Sequence, residues 1–164
     1  MGDLIIDGFE FCLLKESRQG AVAISSLSRL REESPSEARS LQWSLVGGTS
    51  DAGHPQLELG VDGVIALTCQ RCLTPVDFNL LSQSILVLAR TEEEADEIEA
   101  QLANDSVDVV AVTKKIDIAE LIEDEVLLAM PQSIRHESCP PGADTTAVTA
   151  EKPSAFAVLK NLKL

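Results

Sequence analysis

Leu67-Thr68-Cys69-Gln70-Arg71-Cys72-Leu73-Thr74-Pro75 sets two cysteines two residues apart between apolar runs, and the fold is read outward from this stretch. Upstream, Leu57, Leu59 and Val61 alternate with polar neighbours, and Gly63-Val64-Ile65-Ala66-Leu67 runs on into Cys69. Downstream, Val76, Phe78 and Leu80 alternate, and Ser84-Ile85-Leu86-Val87-Leu88 extends the run. A period of two marks strands with one buried face. The cysteine pair therefore falls at a turn between antiparallel strands. Asp62-Gly63 predicts a further hairpin inside the upstream run, because this pair accepts the positive φ angles of a tight turn.

A second group of sulfur and nitrogen ligands lies far downstream in Ser133-Ile134-Arg135-His136-Glu137-Ser138-Cys139-Pro140. Zn²⁺ favours a tetrahedral shell of thiolate and imidazole, and each short turn supplies two ligands. Cys69, Cys72, His136 and Cys139 would close such a shell, and a closed shell is structural, because catalysis needs an open position. Neither turn carries the glycine that often follows a zinc knuckle. Two other readings stay open: reduced, partly buried thiols without metal, and a redox pair. Against the latter, Cys69 ends a strand, whereas redox motifs open a helix whose dipole lowers the thiol pKa.

Between strands and second turn lie two amphipathic helices. Thr91-Glu92-Glu93-Glu94 starts the first with a capping box, Thr91 as N-cap and Glu94 as the reciprocal acid, and Ala95, Ile98 and Leu102 form its buried stripe. Val107 to Val112 then reads as a strand. The second helix runs from its cap Asp117 to Met130, with Ile118, Leu121, Ile122, Val126 and Met130 on the sheet side. Glu120, Glu123, Asp124 and Glu125 are read as its solvated face rather than as a catalytic or metal-binding set. Pro131 stops the helix and lets the chain turn back toward Cys69 and Cys72.

The N-terminal third is strand-rich. Leu4 to Phe11 reads as a short strand or docking segment, Gly20 to Ile24 as a strand, and 34–38 as a loop. Leu41, Trp43 and Leu45 mark a half-buried strand, and 47–53 a turn region. Cys12 is read as core and His54 as an exposed loop histidine. Lys15, Arg18, Arg29, Arg31 and Arg39 concentrate basic charge here, either as solvated surface or as a phosphate-contacting face.

Composition narrows the function classes. A net charge of −14 argues against generic nucleic-acid affinity, which depends on Lys and Arg displacing counterions. Aromatic residues make up 3% of the chain, too few for a base-stacking platform. The acidity suits a basic protein partner or an RNA contact confined to a local patch. No apolar run reaches the ~20 residues of a membrane span, and the N-terminus lacks a secretory pattern, so the expected location is the cytoplasm, where thiols stay reduced. Residues 140–153, rich in Pro, Gly, Thr and Ala, read as a linker, and 154–164 as a short amphipathic helix with Phe156, Leu159 and Leu162 or Leu164 as anchors. The expected fold is α+β: a mainly antiparallel sheet or partly open barrel, two amphipathic helices and the short C-terminal helix, with 1–139 as the single domain.

Taken in order, these blocks resemble the YceD family, the large ribosomal RNA subunit accumulation proteins. The resemblance rests on Cys69-Gln70-Arg71-Cys72 with Pro75, on Asp117-Ile118 through Leu121-Ile122-Glu123-Asp124-Glu125-Val126-Leu127-Leu128-Ala129-Met130-Pro131, on His136 and Cys139, and on Phe156-Ala157-Val158-Leu159 with the lysines that follow. It covers the chain from about Cys69 to its end. The family carries Leu-Pro where this chain has Met130-Pro131. The resemblance implies a role in accumulation or processing of the 23S ribosomal RNA precursor, and it does not imply an enzyme of known activity. The expectation is therefore a non-catalytic acidic adaptor, stapled by structural Zn²⁺, that binds a basic ribosomal or RNA-processing protein through Glu93, Glu97, Glu123 and Glu125. No small-molecule substrate is expected. The alternative is direct binding of precursor 23S RNA through Arg71, Arg135, Arg29 and Arg31. A hydrolase built on the second helix lacks a nearby His, Ser or Lys to complete a catalytic set.

Overall fold

The computed structural model describes residues 4–34, 39–102, 107–112 and 115–139. Five strands form the main sheet in the order β2 (Ser17–Ala23), β3 (Ser40–Thr49), β4 (Pro55–Thr68), β5 (Pro75–Ala89) and β6 (Asp108–Ala111). The first four are antiparallel neighbours, and β6 joins β5 in parallel. The sheet is open, with β2 and β6 at its edges, so of the two expected forms the barrel is excluded. The architecture is otherwise the expected α+β, mainly antiparallel one.

The hairpin expected at Asp62-Gly63 does not form. β4 continues through both residues, with Asp62 opposite Leu81 and Gly63 opposite Leu80. Glycine is needed there for another reason: a Cβ would lie 2.7 Å from Leu41 Cδ2, and φ is +156°. The β3–β4 turn falls instead at 50–54, where the amide of Ser50 donates to the His54 carbonyl and Gly53 takes a φ of +90°.

β3 pairs with β4 only as far as Gln42 opposite Asp62. Beyond that point β4 and β5 continue alone, from Gly63 opposite Leu80 to Thr68 opposite Pro75. This two-stranded arm carries the cysteine turn at its tip.

Four α-helices lie among the described residues, two more than expected. The unexpected ones are short, α1 (Gly8–Leu13) and α2 (Ser28–Glu33). The Leu4–Phe11 segment, expected as a short strand or docking segment, is a strand only at β1 (Ile5–Asp7), after which Asp7 accepts the amides of Phe9 and Glu10 and starts α1. The same device recurs at β7 (Lys115–Asp117), where Asp117 accepts the amide of Ala119 and starts α4 (Ile118–Ala129). β1 and β7 pair antiparallel about Ile6 and Ile116, so two strand, aspartate, helix units face each other. Asp117 therefore caps as the sequence predicts.

The capping box of α3 (Glu92–Leu102) is present with one change. Thr91 Oγ1 accepts the Glu94 amide, but the Glu94 carboxylate takes the amide of Arg90 rather than that of Thr91. Ala95 and Ile98 of α3 pack on Val87 and Ala89 in a small core. The larger core joins Phe11, Leu41, Leu45, Leu57, Leu59 and Val61 to Ile118, Ile122 and Val126 of α4. Cys12 belongs to this core, in α1, and its Sγ donates to the Gln56 carbonyl.

α2 has no cap of its own, because its N-cap residue is Leu27. Glu123 of α4 supplies one from 94 residues away, accepting the amides of Arg29 at 2.7 Å and Leu30 at 3.1 Å, and Arg29 Nε at 3.0 Å. Glu123 is 5% exposed, so it leaves the solvated face to which its position in an acidic run had assigned it. A buried carboxylate is tolerated when several donors satisfy it, and three do so here. The expected linker at 140–153 and C-terminal helix at 154–164 lie outside the described residues.

Candidate metal centre

The arm ends in a tight turn closed by its own backbone. The Cys69 amide donates to the Thr74 carbonyl at 3.0 Å, and the Leu73 amide to the Cys69 carbonyl at 2.9 Å. Closing the turn this sharply takes one residue into left-handed space, and that residue is Leu73, with a φ of 58°. The glycine missing from the sequence is thus replaced by a strained leucine rather than by a different turn.

α4 ends at Ala129 as Pro131 predicts, and the following segment returns to the arm, where the Gln70 amide donates to the Ile134 carbonyl at 2.9 Å. This brings all four predicted ligands together. Cys69, Cys72, His136 and Cys139 place their ligand atoms within 4.8 Å of one another, and this group could hold a metal ion. Cys69 Sγ stands 4.0 Å from Cys139 Sγ, and Cys72 Sγ 3.4 Å from His136 Nδ1. A tetrahedron with metal–sulfur bonds of ~2.3 Å has sulfur–sulfur edges of about 3.8 Å and shorter mixed edges. The spacing fits a Cys₃His shell. His136 Nε2 lies 3.1 Å from the Pro75 carbonyl, which can only accept. Nε2 therefore holds the ring proton, and Nδ1 keeps its lone pair for the shell.

The electrostatics favour thiolate at Cys69 and Cys72. Burial alone would raise the Cys69 thiol, but hydrogen bonds from the backbone of Cys72, Arg71 and His136 outweigh it and bring the pKa down to about 5. The Thr74 hydroxyl, 3.1 Å from Cys72 Sγ, leads the contacts that lower the Cys72 thiol. The His136 ring is shifted up by the sulfurs of Cys69 and Cys72. Burial raises the Cys139 thiol, opposed by Arg71, whose Nε donates to its sulfur at 2.9 Å. Backbone donors and an arginine beside sulfur are the usual supports of metal-bound thiolate.

The other predicted residues divide. Arg71 and Arg135 are exposed on the two turns of the centre. Arg29 is committed to Glu123 and, through Nη2, to Asp124 at 2.6 Å. Arg31 is exposed on α2, and Glu93 and Glu97 on α3. Glu125 is half-buried and accepts a hydrogen bond from Ser82 of β5. His54 stays in the β3–β4 turn, outside the centre. Sequence reasoning missed the supporting shell: Thr74, the Pro75 carbonyl, and Arg71 as a sulfur partner. Only Thr74 and Arg71 left a signal, as polar residues within two positions of a ligand.

The family model for "Large ribosomal RNA subunit accumulation protein YceD" matches residues 57–163, about two-thirds of the chain. The chain belongs to this family. The match begins within β4 and takes in the later elements, including Cys69, Cys72, His136 and Cys139, and its name implies a role in accumulation of the large-subunit ribosomal RNA. No curated protein and no solved structure matches the chain. Among the described residues no helix is long and apolar enough to cross a membrane.

Proposed function

We propose that this YceD-family protein is a non-enzymatic factor for 23S ribosomal RNA accumulation and large-subunit assembly, acting in the cytoplasm as an acidic adaptor. Its Cys₃His centre takes one structural Zn²⁺, with all four positions filled by protein and none left for a reacting water. When bound, the ion supplies cross-linking energy between the arm tip and the 131–139 segment. The acids offered to a basic ribosomal or RNA-processing protein are Glu93 and Glu97 of α3, which project from a helix whose other face is anchored in the small core. Glu123 is withdrawn from that set because it is occupied inside the fold, and Glu125 because Ser82 engages it.

The observation that carries the reading is the family match, with an exposed acidic helix face as its physical complement. The test is binding of purified large-subunit ribosomal proteins to the wild-type chain and to Glu93→Lys/Glu97→Lys. The adaptor reading expects capture of a basic protein that the double variant loses while its melting temperature and metal content stay unchanged. Equal capture by both chains would overturn it.

A second reading is favoured by the exposure of Arg71 and Arg135 at the tip: direct contact with precursor 23S RNA through phosphate-binding guanidinium groups. Its signature is salt-dependent RNA binding by the purified protein, weakened by Arg135→Gln.

A further inference from the structure

The four ligands are not held alike. Cys69 and Cys72 belong to the closed turn between two paired strands. His136 is oriented by the Pro75 carbonyl, a backbone group of β5. Cys139 follows His136 by three residues, and among the described residues the side chain of Arg71 donates to its sulfur through Nε at 2.9 Å. Arg71 stands between Cys69 and Cys72, so the residue inside one ligand pair grips a member of the other.

We propose that Arg71 is the positioning residue that keeps Cys139 in the metal shell, making Cys139 the exchangeable ligand and Arg71 its latch. The proposal rests on the Cys₃His reading above and goes beyond it by ranking the ligands. Three thiolates, a neutral imidazole and a divalent cation sum to one negative charge, and the guanidinium beside Cys139 brings the centre to neutrality. A charge-assisted hydrogen bond to thiolate also draws electron density from the sulfur, which lowers its reactivity toward electrophiles. Neutralising Arg71 removes the donor at the Cys139 sulfur and leaves the excess charge there. Cys139 then leaves the shell first, while Cys69, Cys72 and His136 stay. Arginine is suited to this because its fork donates along a fixed direction while the rest of the guanidinium remains in solvent. A lysine would supply charge without that geometry.

The experiment uses the full-length chain loaded with Co²⁺ or Zn²⁺, as wild type, Arg71→Gln, Arg71→Lys and Arg135→Gln. The Co²⁺ form reports the number of bound thiolates through its sulfur-to-metal charge-transfer absorption. The Zn²⁺ form is mixed with a chromophoric chelator to time metal release, and with iodoacetamide to map alkylation of each cysteine by mass spectrometry. Loss of an outer-shell partner costs roughly 10- to 100-fold in metal affinity. Arg71→Gln should accelerate zinc release by that order, lose about one-third of the charge-transfer intensity and expose Cys139 to alkylation while Cys69 and Cys72 stay protected. Arg71→Lys should fall between the two, and Arg135→Gln should match wild type. Equal release rates and equal Cys139 alkylation in Arg71→Gln and wild type would overturn the proposal and leave the Cys₃His reading standing. A wild-type chain that binds no Co²⁺ would sink both. Alkylation rising equally at all three cysteines would indicate general loosening of the site and also reject the latch.

Discussion

The amide of Gln70 donates to the carbonyl of Ile134 at 2.9 Å, so the cysteine turn and the segment after α4 are joined through main chain as well as through ligand side chains. Two kinds of link at one place make metal removal a graded event. The protein purified without chelator should carry about one Zn²⁺ per chain by elemental analysis. Chelation should lower the melting temperature and release amide protection at 131–139, with the β3–β4–β5 core still protected, because its contacts are apolar and do not depend on the ion. Global unfolding on chelation would show that the centre holds the whole fold, and no change in exchange would remove it as a staple.

Leu73 sits at a φ of 58° with 74% of its surface exposed. A side chain in left-handed space costs ~1–2 kcal/mol, and little packing offsets it here. Leu73→Gly should stabilise the protein by about 0.5–1 kcal/mol in urea unfolding after the added chain entropy of glycine is subtracted. Leu73→Val, β-branched in the same region, should destabilise it. The opposite ranking would contradict the turn geometry.

Glu123 is held ionised: burial raises its pKa, but the amide of Leu30 and the side chain and amide of Arg29 outweigh that and depress it below the ordinary 4.5. A depressed carboxylate stabilises the fold above its unfolded-state pKa, and the contribution is lost as pH falls through the folded value. Stability should therefore drop below about pH 4.5 in the wild type. Glu123→Ala, which strands the buried Leu30 amide and the part-buried Arg29 amide, should cost about 2–4 kcal/mol at pH 7. The gap between the two chains should narrow in acid, and a gap constant with pH would reject the assignment.

Gly63 separates a strand from a turn. In a two-residue turn asparagine replaces glycine with little loss, whereas in β4 a Cβ meets Leu41 Cδ2 at 2.7 Å. Gly63→Asn should then cost about 1–3 kcal/mol as an overpacked core position. Neutral behaviour in thermal unfolding would restore the hairpin.

Local chemistry made much of this protein legible. Alternation gave the strands on both sides of Cys69 and Cys72, Asp117 and Thr91 marked helix starts, Pro131 marked a helix end, and the two cysteine-bearing turns announced four side chains that meet in one group able to hold a metal ion. Each of these is a rule about neighbours within a few residues, which a sequence records directly. What it did not record depends on residues far apart. Asp62-Gly63 has the composition of a turn, but the pairing of both residues with β5 keeps it extended, and Leu41 leaves no space for a side chain at Gly63. Glu123 has the neighbours of a surface acid, yet α2 lacks a cap and draws it inward. Arg71 is an exposed arginine until Cys139 arrives from 68 positions away to accept its hydrogen bond. Sequence by itself determined which groups were available to bond; the packing of α4 and its returning segment against the arm decided which of them met, because desolvation in that packed interface makes an unpartnered donor or charge costly and so selects the partners.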